Sequence, residues 1–206
     1  MRIHRIIPCT RAEGPGLRFT IWVQGCHNYC RGCYATALWD ENGGWEISTE
    51  DLIRRIRETP GIEGITFLGG EPMEQAGELA KVAAAAREMG LSVLTFTGLV
   101  YERILDEAEA ERLALLAYTD LLIDGPYLPQ RHDTSRPWVG SDNQRYLFLS
   151  DRYTMQDVVC CRNRVELRVS RDGVVRLNGM GDFAALERML NQESIVRGNE
   201  DGTYKV

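Results

Sequence analysis

Leu17-Arg18-Phe19-Thr20-Ile21-Trp22-Val23-Gln24-Gly25-Cys26-His27-Asn28-Tyr29-Cys30-Arg31-Gly32-Cys33 joins an apolar run to a cluster of thiols. Residues 17–23 alternate and are rich in β-branched and aromatic side chains, which predicts a strand, and Gly14-Pro15-Gly16 marks a turn before it. The loop that follows carries Cys26, Cys30 and Cys33. A structural zinc site asks for four protein ligands, usually in paired knuckles. Three thiolates without a fourth at ligand spacing can hold three irons of a 4Fe-4S cube and leave the fourth iron open to a small molecule. The rival, a structural cluster or zinc knuckle, needs one more ligand. His27 has the wrong spacing for it, so Cys9, Cys160 or Cys161 would have to supply it.

Beyond this loop, helix and strand patterns alternate. Ser48 opens a helix with Leu52, Ile53 and Ile56 on its apolar face, ended by Pro60-Gly61. Residues 64–68 form a short buried strand running into Gly69-Gly70-Glu71-Pro72. Residues 74–89 are an alanine-rich helix closed by Gly90. A third strand at 91–96 ends in Thr97-Gly98, residues 100–117 read as helix in one or two pieces, and a fourth strand at 118–123 ends in Asp124-Gly125-Pro126. The alternation predicts an α/β fold with a parallel sheet. Four such units are too few to close an eight-stranded barrel, so the expectation is an open, partial (β/α) barrel. Sites in such folds gather at the carboxyl ends of the strands.

Residues 129–143 read as a polar loop over the site and 145–149 as a further strand. From about Ser150 the pattern changes. Residues 164–170 and 174–177 alternate around Arg171-Asp172-Gly173, a hairpin signal, before a short helix at 183–190 and a polar, frayed tail from Asn191. This divides the chain into a core at 1–150 and an extension at 151–206 packed on it. Three groups read as ordinary structure: His4, His27 and His132; Cys160-Cys161 as packed strand thiols; and the arginines around the hairpin as solvated.

With 44% apolar and 26% charged residues, the composition is that of a globular protein. The net charge of −6 opposes a general nucleic-acid binder, which needs a basic face. No apolar run approaches the roughly 20 residues that span a bilayer. The basic N-terminal residues precede no long apolar stretch, so no secretory signal is expected. Clustered thiols then indicate metal in a reducing compartment. The expected setting is cytoplasmic, with neither nucleic acid nor membrane as partner.

The Cys-x3-Cys-x2-Cys spacing is the signature of the radical S-adenosylmethionine (SAM) enzymes, and the chain resembles them again in Gly14-Pro15-Gly16, Gln24-Gly25 and Gly69-Gly70-Glu71-Pro72. Residues 13–33 look like the activating enzymes of glycyl-radical enzymes. Cys30-Arg31-Gly32-Cys33-Tyr34, Asp124-Gly125-Pro126-Tyr127 and Trp138-Val139-Gly140-Ser141-Asp142-Asn143-Gln144-Arg145 are similar to the activating proteins of anaerobic ribonucleotide reductase. The resemblance covers about residues 1–150. The chain departs from it at Ala35, where those proteins tend to carry asparagine, and in the extension after Ser150.

The resemblance implies two cofactors, a 4Fe-4S cluster on the catalytic ligands Cys26, Cys30 and Cys33, and SAM near Gly32, Tyr34, Gly69, Gly70, Glu71, Thr97 and Asp124. The segment 69–71 would meet the methionine amino group, and Asp124 would aim at the same pocket. An electron donor such as flavodoxin or ferredoxin would reduce the cluster, and SAM cleavage would give a 5′-deoxyadenosyl radical. That radical would take hydrogen from a glycine Cα of a partner glycyl-radical enzyme, with residues 138–145 bounding the mouth that admits it. One alternative is a radical SAM enzyme that modifies a peptide or small molecule. Another, of a different class, is an iron–sulfur electron-transfer or binding protein. Cys26→Ala, Cys30→Ala and Cys33→Ala are each expected to abolish SAM cleavage, whereas Cys9→Ala, Cys160→Ala and Cys161→Ala leave it; 5′-deoxyadenosine, measured by chromatography, is the readout.

Overall fold

The computed structural model describes residues 1–181, 185, 186, 188, 197, 198 and 203–205. Seven strands form the main sheet: β1 (Arg2–Thr10), β2 (Arg18–Val23), β3 (Trp45–Glu46), β4 (Gly64–Gly69), β5 (Ser92–Phe96), β6 (Leu121–Asp124) and β7 (Arg145–Phe148). Their order is β3-β1-β2-β4-β5-β6-β7. The four central strands β2, β4, β5 and β6 run parallel. β1 and β3 extend one side antiparallel, and β7 closes the other. The α/β expectation therefore holds with its parallel centre, in a sheet with two edges.

Helices α1 (Thr49–Arg57), α2 (Ala76–Glu88), α3 (Tyr101–Glu107) and α4 (Ala110–Tyr118) connect the parallel strands. The Ser48 hydroxyl accepts from Asp51 N at 3.1 Å and caps α1. The stretch at 100–117 is in two pieces because Ala108 turns left-handed, with φ of 50°. In the alanine-rich α2, Ala80, Ala83 and Ala86 are buried.

Side chains alternate across each strand, so the sheet has two unlike faces. Phe19, Ile21, Val23, Ile65, Phe67, Val93 and Leu122 join the helices in the larger core, with Leu52 and Ile56 of α1, Leu79 and Val82 of α2 and Leu115 of α4. Each such side chain adds about 1.5–3 kcal/mol through burial. On the other face Leu94, Leu121 and Ile123 pack with Trp138, Val139 and Val158.

That second face also carries Arg18, which is fully buried. Its guanidinium donates to Thr66 Oγ1 at 2.6 Å, and to Pro15 O, Ser92 Oγ and Tyr153 OH at 3.0 Å each. Ile65 O also accepts from it. Thr66 Oγ1 in turn donates to Glu13 O at 2.9 Å. A buried cation persists when its donors are satisfied, and here they bind β2, β4 and β5 to the turn before β2.

The first strand, β1, escaped the sequence reading of residues 1–16. Register shifts between Ile3 and Arg5 and between Ile7 and Thr10 interrupt its two-residue period, the signal that marks a strand. Cys160-Cys161 follows a short helix, α5 (Met155–Val159), and so is not a strand pair. The expected hairpin is present as β8 (Val165–Val169) and β9 (Val174–Gly179). The expected helix at 183–190 lies largely outside the described residues, as does most of the tail. Within that tail β11 (Thr203–Lys205) pairs with β9 and with β10 (Arg197–Gly198). Among the described residues no helix is long and apolar enough to cross a membrane. Arg18→Leu leaves several buried acceptors unpaired and is expected to cost about 3 kcal/mol, read as a lower urea midpoint with an unchanged slope.

Candidate active site

The thiol loop leaves the carboxyl end of β2 over a cavity of about 590 Å³ lined by Cys26, Cys30 and Cys33. Trp22, Leu68 and Phe96, from the face opposite the helices, line it too, with Gly69, Gly70 and Thr97 at the strand ends. The loop is tied down on both sides. Gly25 N donates to Leu38 O at 2.9 Å and Cys26 N to Trp39 O at 3.3 Å, while His27 N donates to Glu74 Oε1 at 2.8 Å. Tyr29, with φ of 43°, stacks edge-on against Trp39 at 5.3 Å between centroids. Within the loop, Cys33 N donates to Cys30 O at 3.1 Å.

Burial pushes the Cys26 thiol up to about 11 and raises Cys30 as well, with the Glu71 charge adding to both. Neither is an activated nucleophile by itself, because such a pocket favours the neutral thiol. A bound metal reverses the balance, since coordination deprotonates a thiol. Among the described residues no three metal-ligating side chains converge on a single ion. A cube makes another demand, one soft thiolate for each of three irons, and the donor set of this loop suits it. Ala35, where relatives of the resembling kind tend to carry asparagine, offers its N–H to Cys33 Sγ at 3.3 Å, a contact that the backbone makes whatever the side chain.

Glu71 joins this loop to the next two strand ends. It is buried, and its carboxylate accepts from Met73 N at 2.9 Å, Thr97 Oγ1 and Gly98 N at 2.8 Å each, and Asn28 Nδ2 at 2.6 Å. Burial raises its pKa and these donors hold it down. Four donors occupy the carboxylate, so Glu71 borders the cavity as a clamp. Gly70 lies equally close to the loop: a Cβ there would stand 2.1 Å from Gly25 O. The glycine therefore lets two pieces of backbone meet.

The structure brings Cys26, Cys30, Cys33, Tyr34, Gly69, Gly70, Glu71 and Thr97 to one cavity. Gly32 and Asp124 are not in its lining. Asp124, expected to aim at the pocket, is fully buried and turned toward Arg145 Nη2 at 2.5 Å and Tyr101 N at 2.9 Å. The cation and the helix start draw its carboxylate away from the pocket. Gly32, with φ of 75°, makes a turn in the loop against Tyr127 and Pro129. Residues 138–145 bond largely to themselves and to the loop after β6. Gln144 Oε1 accepts from Gly140 N at 2.7 Å, Asn143 Nδ2 donates to Pro126 O at 2.8 Å, and Leu128 N donates to Ser141 Oγ at 3.2 Å. Trp138 and Gln144 reach the cavity wall.

Sequence reasoning missed several lining residues: His4 and Arg5 of β1, Glu13, Asn28, and Leu177 to Met180 of the hairpin. Glu13 is 5% exposed and accepts from Asn178 Nδ2 at 3.2 Å. Its one local signal is position, a lone acid before Gly14-Pro15-Gly16. Nothing in the local pattern points to Asn178.

A loop of three thiols over the carboxyl ends of parallel strands defines an iron–sulfur protein of the single-cluster class. The chain belongs to the 4Fe-4S single cluster domain family, whose model matches residues 12–147. It is 32% identical over 152 residues to the anaerobic ribonucleoside-triphosphate reductase-activating protein of Enterobacteria phage T4, covering 70% of this chain and 92% of the phage protein. The protein of the same name from Escherichia coli K12 is 30% identical over 152 residues, 70% of this chain and 96% of that protein. The pyruvate formate-lyase 1-activating enzyme of Escherichia coli K12 is 33% identical over 130 residues, 59% of this chain and 50% of that enzyme.

Glu13 gives the cavity a titrating wall. Burial, reinforced by Glu166, pushes it up to about 7 against the Asn178 and Gly179 hydrogen bonds and the Arg5 charge. The folded protein thus holds a proton that the unfolded chain releases near pH 4.5. The associated stability is complete below pH 4.5 and is lost as the pH rises through about 7. Glu13→Gln is expected to remove this dependence and to exceed the wild type at pH 8 by up to ~3 kcal/mol, measured by urea unfolding of both proteins at pH 5 and pH 8.

Proposed function

We propose that this chain is a radical SAM activating enzyme, an oxidoreductase that installs a glycyl radical on a partner enzyme such as an anaerobic ribonucleotide reductase. The observation that carries the reading is the meeting of three thiols, Gly69, Gly70 and Thr97 on one cavity, in a chain whose relatives are named as activating proteins. In this reading Cys26, Cys30 and Cys33 hold a 4Fe-4S cluster through one thiolate per iron, and Gly69, Gly70 and Thr97 border the SAM. The reduced cluster would supply one electron to the sulfonium of SAM, whose carbon–sulfur bond would break to give methionine and a 5′-deoxyadenosyl radical.

The chain itself binds, orients and shields. Glu71 keeps the thiol loop and the ends of β4 and β5 in fixed relation through its four donors. Trp22, Leu68 and Phe96 give the cavity an apolar floor that keeps water from a reactive carbon. Helices on one face of the sheet and the cavity on the other suit a partial barrel whose open side admits a protein loop. Glycine is a fitting target, because without a side chain its Cα can approach closely. This reading calls for a one-electron donor such as a flavodoxin or ferredoxin and for a low-oxygen, cytoplasmic setting.

The test is anaerobic reconstitution with iron and sulfide, followed by SAM and a reductant. The expected result is 5′-deoxyadenosine, and then the glycyl doublet in the electron paramagnetic resonance spectrum of a glycyl-radical enzyme from the same genome. A reconstituted cluster that cleaves no SAM overturns the reading in favour of an electron carrier. Cleavage accelerated by a small molecule, with no doublet on any candidate, overturns the choice of partner.

A further inference from the structure

The hairpin of β8 and β9 lies beyond residues 12–147, the span that the family model matches. It nevertheless builds part of the cavity wall, through Leu177, Asn178, Gly179 and Met180. Its attachment is polar and directional. Arg5 Nη1 donates to Leu177 O at 2.8 Å, Arg168 Nη2 to Cys9 O at 2.6 Å, and Arg11 N to Glu166 Oε1 at 2.7 Å. Arg168, expected to be merely solvated, also holds the Asn178 side chain.

Asn178 is the centre of this contact. It is 5% exposed, and its Nδ2 donates both to Thr10 Oγ1 at 3.0 Å and to Glu13 Oε1 at 3.2 Å. Gly179 makes the approach possible. Its φ is 104°, and a Cβ would stand 2.9 Å from Ala12 Cβ and 2.0 Å from Arg164 O. A wall fixed by buried hydrogen bonds and a glycine contact keeps its shape when a ligand enters, which is what discrimination by size requires.

We propose that this hairpin is the specificity-determining wall of the cavity: Leu177 and Met180 limit the residue next to the target glycine, and Asn178 positions the wall against Glu13. The idea rests on the activating-enzyme reading. A glycine offers no side chain to recognise, so selection must act on its neighbours in the peptide. Leu177 and Met180 are apolar, and the partner segment they fit has a small apolar residue beside the glycine. One methylene against such a surface discriminates about tenfold or more.

The experiment uses the reconstituted full chain and two synthetic peptides copied from the glycine-bearing loop of a glycyl-radical enzyme of the same genome. One carries alanine before the glycine and the other leucine. Dissociation constants come from calorimetry without SAM, and KM and kcat from 5′-deoxyadenosine formation with it. The wild type is expected to prefer the alanine peptide. Leu177→Ala and Met180→Ala are each expected to shift that preference about tenfold toward the leucine peptide, in both binding and KM. Asn178→Leu is expected to raise KM for both peptides more than it lowers kcat. Unchanged peptide preference in both alanine variants, with a wild type that cleaves SAM, overturns the wall and leaves the activating-enzyme reading standing. A wild type that cleaves no SAM overturns that reading, and the inference falls with it.

Discussion

The buried carboxylate of Glu71 is the constraint on which the site depends. Taking a carboxylate out of water costs several kcal/mol unless donors replace the water. Here the donors come from three places: Asn28 in the thiol loop, Met73 after β4, and Thr97 and Gly98 after β5. Satisfying Glu71 therefore fixes where three separate strand ends lie. The contact of Gly70 with Gly25 O reinforces the arrangement from the backbone, since no side chain fits between them. Ligands spaced along one loop gain a defined geometry when that loop has no freedom to drift.

Behind the clamp, the two faces of the sheet divide the work. The helix side is built from aliphatic and aromatic side chains and supplies most of the burial. The other side carries Arg18 and Thr66 deep within it, and Trp22, Leu68 and Phe96 toward the carboxyl ends. Arg18 binds three parallel strands to the turn at Pro15, next to Glu13, so the same face ties down the start of the cavity wall. Polar groups are thus used twice on this face, once to hold strands and once to border the cavity.

The loop at 138–145 and the hairpin after it close the molecule in different ways. Gln144, Asn143 and Ser141 satisfy backbone groups around Gly125 to Leu128, and so build a rigid loop. Trp138 N donates to Asn163 Oδ1 at 2.9 Å, tying that loop to the chain entering β8. The hairpin then returns to β1 through Asn178, Arg168 and Glu166. The cavity is consequently bordered by residues from the first strand, the thiol loop and the end of β9.

By itself the sequence determined what local pattern encodes: the strand before the thiols, the four strand–helix units, the thiol spacing and the hairpin turn. Those features depend on neighbours within a few residues, through two-residue and 3.6-residue periods and turn chemistry. β1 stayed hidden because its bulges break the period. The direction of a carboxylate was likewise illegible, because it depends on partners far along the chain. Asp124 turns to Arg145 and the start of α3, and Glu71 turns inward to four donors, although both stand at the carboxyl ends of parallel strands. Glu13 and Asn178 are separated by 165 positions and meet only when the hairpin docks on the turn before β2. Tertiary structure alone decided which polar groups were satisfied by the chain and which were left to border the cavity, because a buried group takes the nearest partner that folding supplies.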